Sequence, residues 1–230
     1  MTKPGKPVAQ ADEDFGDKVK AHQRYKLADG TQVPGSTTVL GVLDKAGLVG
    51  WANKLGLQGI DSRKYTDEAA SVGTLAHYLV ERELDGQPPD LGDYTPNQIE
   101  RAMHSVKAFR RWLDGRTIEP ILVEGRLVSE KYRYGGTVDF FGLLNGRRVL
   151  LDFKTSKAIY LEHKAQLVSY VKLLIENGYR PQEAHVIKLG RGPGASIEDH
   201  LVGQEELRAH WAVFEHALGI YAAKKIIRAL

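Results

Sequence analysis

The chain has 230 residues, no cysteine, 42% hydrophobic residues and 27% charged ones. That length suits one domain with a sizeable core, and the lack of cysteine excludes disulfides, cysteine-ligated zinc, iron–sulfur clusters and thiol nucleophiles. Thirty-two basic against 29 acidic residues leave a net charge of +3, a weak pointer to a polyanionic partner in which clustering counts for more than the sum.

Residues 1–20 mix Gly, Pro, Lys and Asp without an apolar stretch, which reads as a flexible tail and not as a secretory signal. Residues 21–230 are then a single domain. Residues 22–33 suggest a short hairpin around Ala28-Asp29-Gly30. After the turn at Pro34-Gly35, Ser36 or Thr37 is a candidate cap for a helix through about residue 46. A second helix is expected at 49–58. A longer one is expected from Thr66, with Asp67 and Glu68 in its first turn, to about residue 84. Thr95-Pro96-Asn97-Gln98 has the form of a capping box with proline at the first helical position, and its helix should end near Gly115. The part over 36–115 is therefore helical.

The pattern then changes. Residues 119–129 alternate apolar and polar, as a strand does. Residues 137–144 and 147–154 are strands joined by Asn145-Gly146, the strongest short hairpin signal. A helix over 161–177, ended by Gly178, and strands at 184–189 and 197–202 complete a sheet core over 119–202. Between those strands, Gly190-Arg191-Gly192-Pro193-Gly194 is a turn; its proline and the lack of a following helix are wrong for a nucleotide fingerprint. The last helix, 204–228, has an apolar stripe of Leu207, Trp211, Phe214, Leu218 and Tyr221. Helices before and after a sheet with an antiparallel middle predict an α/β (α+β) fold. No run approaches the ~18 apolar residues of a membrane span, and a cytoplasmic location is permitted.

The central hairpin carries the chemistry. Counting outward from a two-residue turn at Asn145-Gly146 sets Asp139 opposite Asp152 and Thr137 opposite Lys154. Strand alternation puts Asp139, Asp152 and Lys154 on one face, with Phe141, Leu143 and Leu150 nearer the turn. It puts Val138, Phe140, Val149, Leu151 and Phe153 on the other. Both faces are largely apolar, as in central, covered strands. Two opposed carboxylates on a covered sheet repel, and burial raises their cost. One lysine between two acids leaves a net negative charge, which a divalent cation resolves; oxygen ligands suit Mg2+ or Mn2+. The alternative is a Lys–Asp salt bridge at a sheet end with the second aspartate solvated. A hard metal held by two acids, with a lysine one strand-step away, is equipment for phosphodiester hydrolysis. Lys154 can position the attacking water or stabilise developing negative charge.

The segment GTVDFFGLLNGRRVLLDFKTSK at 136–157 resembles the core of the PD-(D/E)XK nucleases. It is most similar to the RecB-type branch, with Gly-x-x-Asp, a hairpin, then Asp-x-Lys-Thr. QLVSY at 166–170 resembles that branch's Gln-x-x-x-Tyr motif, and GTLAH at 73–77 its upstream helical histidine motif. GSTTVL at 35–40, followed by Trp51, is similar to a subgroup that includes phage nucleases and the mitochondrial genome maintenance exonuclease. The resemblance spans about 24–190. Two departures stand out: the first acid follows Thr-Val where the family name has proline, and the second acid is aspartate where glutamate is commoner. There is no Walker A sequence, so no helicase motor is expected.

The resemblance implies a restriction-endonuclease-like mixed central sheet flanked by helices. It implies metal ligation by His77, Asp139, Asp152 and the backbone carbonyl of Phe153, with Lys154 as the catalytic lysine. It implies a Mg2+-dependent (or Mn2+-dependent) DNA exonuclease acting on single-stranded DNA or free ends, in the replication, recombination or repair of a bacterial or phage-infected cell. Replication or recombination proteins are the expected partners. A structure-specific endonuclease such as a resolvase, and a DNA-binding module that no longer cuts, remain the alternatives.

Other residues have both functional and structural readings. His77 lies four residues after Gly73, whose helix-interior position costs ~1 kcal/mol against alanine and suggests a close backbone approach. His77 is a neutral-imidazole ligand or an interior histidine, and Glu81, one turn on, can orient it. Gln166 and Tyr170 share a helix face; they contact DNA phosphate or the active-site lysine and acids, or form a polar helix edge. Glu124, mid-strand beside the hairpin, reaches the metal through water, supports Lys154, or is an edge residue. Ser36 and Thr37 offer hydroxyls to a phosphate or cap a helix. Trp51 stacks on an unpaired base or belongs to a core. Lys131-Tyr132-Arg133 interleaves charge and rings as single-stranded nucleic acid requires, or is a solvated loop. Thr155 and Lys157 complete the candidate DNA contacts, and His163 and Lys164 add positive charge on the same side.

Overall fold

A computed structural model describes residues 25–43, 47–195 and 197–230; the tail expected at 1–20 lies outside them. A small hairpin, β1 (Tyr25–Lys26) and β2 (Gln32–Val33), precedes α1 (Ser36–Leu40), α2 (Leu48–Leu57), α3 (Ser62–Asp85) and α4 (Pro96–Leu113). Next come β3 (Ile118–Ser129), β4 (Tyr134–Leu144), β5 (Arg147–Lys154), α5 (Leu161–Glu176), β6 (Glu183–Leu189), β7 (Ile197–Leu201) and α6 (Gln204–Ile227).

Two helix starts differ from the sequence expectation. α3 begins at Ser62, because Asp61 is the cap: its carboxylate accepts from the Arg63 and Lys64 backbone N–H groups. Thr66 sits inside the helix and donates its hydroxyl back to the Ser62 carbonyl at 2.7 Å. α1 is capped by Gly35 and stops at Leu40. Ser36 does not cap it, since its hydroxyl is spent on the Gly135 carbonyl of β4 at 3.1 Å. The Thr95–Gln98 capping box forms as expected, with Pro96 in the first turn.

The five main strands lie in the order β3-β4-β5-β6-β7. β3, β4 and β5 are antiparallel neighbours, β5 and β6 are parallel, and β6 and β7 are antiparallel. The result is a mixed sheet flanked by helices, as the sequence predicts. The parallel pair needs a crossover, which α5 supplies. One core lies between the sheet and α3–α4, with Leu75, Phe109, Phe140, Leu151 and Phe153. The other lies beneath α1, α5 and α6, with Phe141, Leu150, Leu167 and Phe214.

The register of the central hairpin is the predicted one. Asn145 and Gly146 both have positive φ, as a type I′ turn requires. Leu144 pairs with Arg147 and Phe140 with Leu151. The ladder then opens, and Asp139 and Asp152 lie just beyond its last pair. On the other side of β4, Val123 pairs with Phe140 and Gly125 with Val138. The intervening position opposite Asp139 is Glu124, whose φ of 50° is left-handed. Asp139 thus sits where both flanking ladders are interrupted. The interruption also overturns strict alternation: Val138 packs beneath α5 and α6 while Phe140 packs beneath α3 and α4. A bulge-like irregularity re-aims side chains in this way.

Candidate active site

The site is built from the end of the β4–β5 ladder outward. Asp152 is fully buried. Lys154 Nζ lies 2.7 Å from each of its carboxylate oxygens and donates a hydrogen bond to Oδ1. Oδ2, though buried, has no hydrogen bond. Asp139 Oδ2 accepts the Phe153 backbone N–H at 2.8 Å, so its side chain fills the gap where the ladder opens. The Lys154–Asp152 ion pair therefore exists, but the second aspartate is not solvated: its side chain is 14% exposed.

Burial pushes Asp152 up to about 6, with Lys154 pulling the other way and Asp139 adding to the rise. Asp139 is raised by burial, against Lys154 and the Phe153 N–H. Burial works against the Lys154 ammonium, but Asp152 and Asp139 outweigh it and hold its pKa above the ordinary value. One buried cation is set among several acids, an arrangement in which each carboxylate is costly.

α3 supplies the wall facing these groups. His77 Nδ1 lies 3.7 Å from Asp139 Oδ2. Burial, then the Lys154 charge, lowers the His77 pKa to about 4, so the imidazole is neutral at physiological pH. Glu81 is bound by Arg82, and no contact with His77 orients the ring through it. Gly73 explains itself by close approach: a Cβ there would stand 2.8 Å from Thr155 Oγ1. Glu124 reaches the same cluster from β3. Burial, then the Asp139 and Glu81 charges, push it up to about 9.

α5 and α1 close the opposite side. Gln166 Nε2 donates to both Tyr170 Oη and Thr37 Oγ1 at 2.9 Å. Tyr170 is raised well above its ordinary value, by burial first and then by the Asp152 and Asp139 charges. Its ring lies over Gly136, where a Cβ would come within 2.6 Å of it. The glycine of the Gly-x-x-Asp segment and the tyrosine of the Gln-x-x-x-Tyr segment thus pack on each other. Ser36 is 1% exposed and its hydroxyl is held by Gly135 and Ser169. It orders α1 against β4 and α5 and does not present itself to a ligand, whereas Thr37 is exposed.

The remaining candidates lie further out. Thr155 is buried beside Gly73. Lys157 is exposed on the loop after β5. Trp51, on α2, meets Tyr65 of α3 edge-on with centroids 5.9 Å apart. Lys131, Tyr132 and Arg133 form the β3–β4 turn, which β4 separates from Asp139 by five strand residues, about 17 Å. There the Tyr132 ring packs on Trp211 at 4.9 Å with Lys131 Nζ over it, and the Lys131 N–H donates to Glu176. The structure does not bring this trio to the carboxylates.

One residue that the sequence reading places only in a turn is at the site. Arg191 Nη2 donates to Thr155 Oγ1 at 3.1 Å. Its positive charge also acts on His77. Spacing gives no hint of it, because Arg191 arrives on the β6–β7 loop.

No family model matches the sequence, and no curated protein matches it. Among solved structures, the chain is similar to an exonuclease candidate from Eubacterium rectale, with 10% identity and a TM-score of 0.42. That match covers 63% of this chain and 64% of the other, so this chain spans just under two thirds of its length. An alkaline exonuclease from Laribacter hongkongensis matches at 13% identity and a TM-score of 0.37, over 86% of this chain and 95% of that one. Likeness at this level leaves the activity to be read from the site.

Proposed function

We propose that this chain is a divalent-metal-dependent DNA nuclease, acting as an exonuclease on single-stranded DNA or DNA ends. One observation carries the reading. Asp139, Asp152 and Lys154 converge where the ladders on both sides of β4 open, so that one ammonium stands against two largely buried carboxylates. Two buried carboxylates that share one cation keep a negative charge that a divalent ion would offset. Among the described residues, no group of three His, Asp or Glu side chains is gathered closely enough to hold a metal ion, and Lys154 is the cation that offsets the acids.

The donor types, once drawn together, suit a hard divalent ion. Asp139, Asp152, the neutral His77 imidazole and the Phe153 carbonyl would hold Mg2+ or Mn2+. Such an ion polarises the phosphoryl oxygen and lowers the pKa of bound water. Lys154, held by Asp152, would face the negative charge that builds on the attacked phosphate. Tyr170 and Gln166, tied to each other and to Thr37, wall the site on the α5 side and orient the strand. Glu124, pushed up to about 9 by burial and by the Asp139 and Glu81 charges against the pull of Lys154, is a proton-bearing neighbour of Asp139.

The test is cleavage of end-labelled single- and double-stranded DNA, linear and circular, with Mg2+, Mn2+ or EDTA. Linear DNA should be lost in either metal and spared in EDTA, circular DNA should persist, and Lys154→Ala and Asp152→Asn should abolish the loss. Cleaved circles would favour an endonuclease. DNA bound but uncut under every metal would leave a binding module.

A further inference from the structure

We propose that Arg191 binds the phosphate next to the one being cut, and so fixes the register of the DNA strand on the carboxylates. This rests on the nuclease reading above.

The placement of Arg191 is built, not incidental. Its loop joins β6 to β7, and β6 runs beside β5 with Lys188 in register with Lys154. The loop is pinned to α4 at both ends. The fully buried Ser105 donates to the Gly190 carbonyl at 2.9 Å, and Arg111 donates to the Ala195 carbonyl at 2.6 Å. From that base the guanidinium reaches Thr155, the residue after Lys154. Gly73 makes room for this meeting. A Cβ there would be 2.8 Å from Thr155 Oγ1 and 3.6 Å from Arg191 Nη2.

The charge of Arg191 is also unspent. Arg82, Arg101, Arg110 and Arg147 each pair with a glutamate. Among the described residues, Arg191 pairs with no carboxylate, and its partner is a neutral hydroxyl. The residue is exposed, yet its guanidinium end is drawn partly from water; that desolvation, with the like charge of Arg101, lowers its pKa. It stays protonated at any physiological pH. A guanidinium has five donors in a planar fork, and one bond to Thr155 leaves the rest for a phosphate.

Position on α3 decides which phosphate. Gly73 lies about one turn from His77, ~6 Å along the helix. His77 faces Asp139 and the cutting site, so Arg191 serves a neighbouring linkage and Lys154 serves the cut one.

The experiment uses the full chain and a fluorescein-labelled single-stranded oligonucleotide. Anisotropy in Ca2+ or EDTA gives binding; steady-state cleavage in Mg2+ gives kcat and KM. Arg191→Ala should raise Kd and KM about tenfold, the loss expected for one charge-assisted contact, with kcat changed less than about threefold. The slope of log Kd against log salt should fall by ~0.7, one phosphate contact on a single strand. Arg191→Lys should restore the slope but not the full affinity. Gly73→Ala, which drives a methyl against Thr155 Oγ1 and toward Arg191, should weaken binding in the same direction as Arg191→Ala. A single methylphosphonate, moved along the strand, should weaken wild-type binding most at one linkage beside the cut bond. Arg191→Ala should be indifferent at that linkage. An unchanged KM and salt slope, or a loss in kcat alone, overturns the proposal while leaving the nuclease intact. Wild-type protein that neither binds nor cuts DNA overturns both.

Discussion

Asp152 and Lys154 illustrate how an excess of like charge is held in place. The cluster has the Asp139 and Asp152 carboxylates, Glu124 and Glu81 nearby, and one ammonium among them. Removing the cation should therefore cost more than removing an acid. Lys154→Ala leaves buried acids uncompensated and should destabilise the protein by up to about 3 kcal/mol. Asp152→Asn relieves repulsion and should cost under about 1 kcal/mol, or stabilise, as active-site substitutions often do. Urea unfolding at pH 7 in EDTA reads both. Mg2+ should then raise wild-type stability, by ~2.7 kcal/mol at a hundred times its dissociation constant, and should do little for Asp152→Asn. Equal destabilisation by the two substitutions would show that charge excess is not what governs the cluster.

The residues that do this were legible in the sequence to the extent that short-range geometry places them. Asn145-Gly146 sets a turn, the turn sets a register, and the register brings Asp139 and Asp152 together. What lay beyond that reach is instructive. The left-handed backbone at Glu124 is a tertiary choice that no propensity signals, and with it goes the face switch between Val138 and Phe140. Arg191 depends on anchors from α4, 85 residues away in sequence at Ser105. Ser36 and Thr66 looked like caps because both residue types compete for that role. Gly35 and Asp61 won because the chain leaves extended backbone at those positions.

At the scale of elements, two contacts hold the site's frame. The first is the packing of α5 on β4 through Tyr170 and Gly136. A methyl at Gly136 would meet the Tyr170 ring at 2.6 Å and Leu173 at 2.9 Å. Both side chains are buried, so the clash cannot be relieved into solvent. Gly136→Ala should destabilise by about 1–3 kcal/mol, and should lower kcat by displacing Tyr170 and Gln166. A wild-type unfolding midpoint and rate would show that the close approach is not needed. The second is Glu206, which joins α6 to α5 through Lys164 at 2.6 Å and to β7 through His200 at 3.2 Å. The Lys164 hydrogen bond, against a small burial effect, lowers its pKa to about 2. A lowered carboxylate pKa gives stability that is complete above the unfolded value of ~4.3 and fades as pH falls toward 2. Glu206→Gln should therefore cost stability at pH 7, under about 1 kcal/mol for so exposed a pair, and nothing at pH 2. A cost independent of pH would assign the effect to packing.

At the scale of the molecule, a net charge of +3 understates how the cations are arranged. No helix among the described residues is long and apolar enough to cross a membrane. Acids gather at the opened ladder, and basic groups stand to either side of it. On the α3–α4 side are Arg191 and Arg101. On the α1–α6 side a shallow groove is lined by Thr38, Lys224, Lys225 and Arg228, beginning one residue past the Thr37 that Gln166 holds. On the proposed function, a strand that ran from Arg191 across the carboxylates to this groove would be positioned by phosphate contacts without its sequence being read. Replacing Lys224, Lys225 and Arg228 together with alanine should weaken binding equally for oligonucleotides of different sequence. It should reduce the salt slope by up to ~2, at ~0.7 per phosphate contact, and act on KM with kcat spared, since none of the three reaches the acids. Added to Arg191→Ala, the loss should be additive, because the two basic groups grip different phosphates and share no partner. A triple variant with wild-type affinity and slope would end the path of the strand at Gln166 and leave the α1–α6 groove without a role in binding.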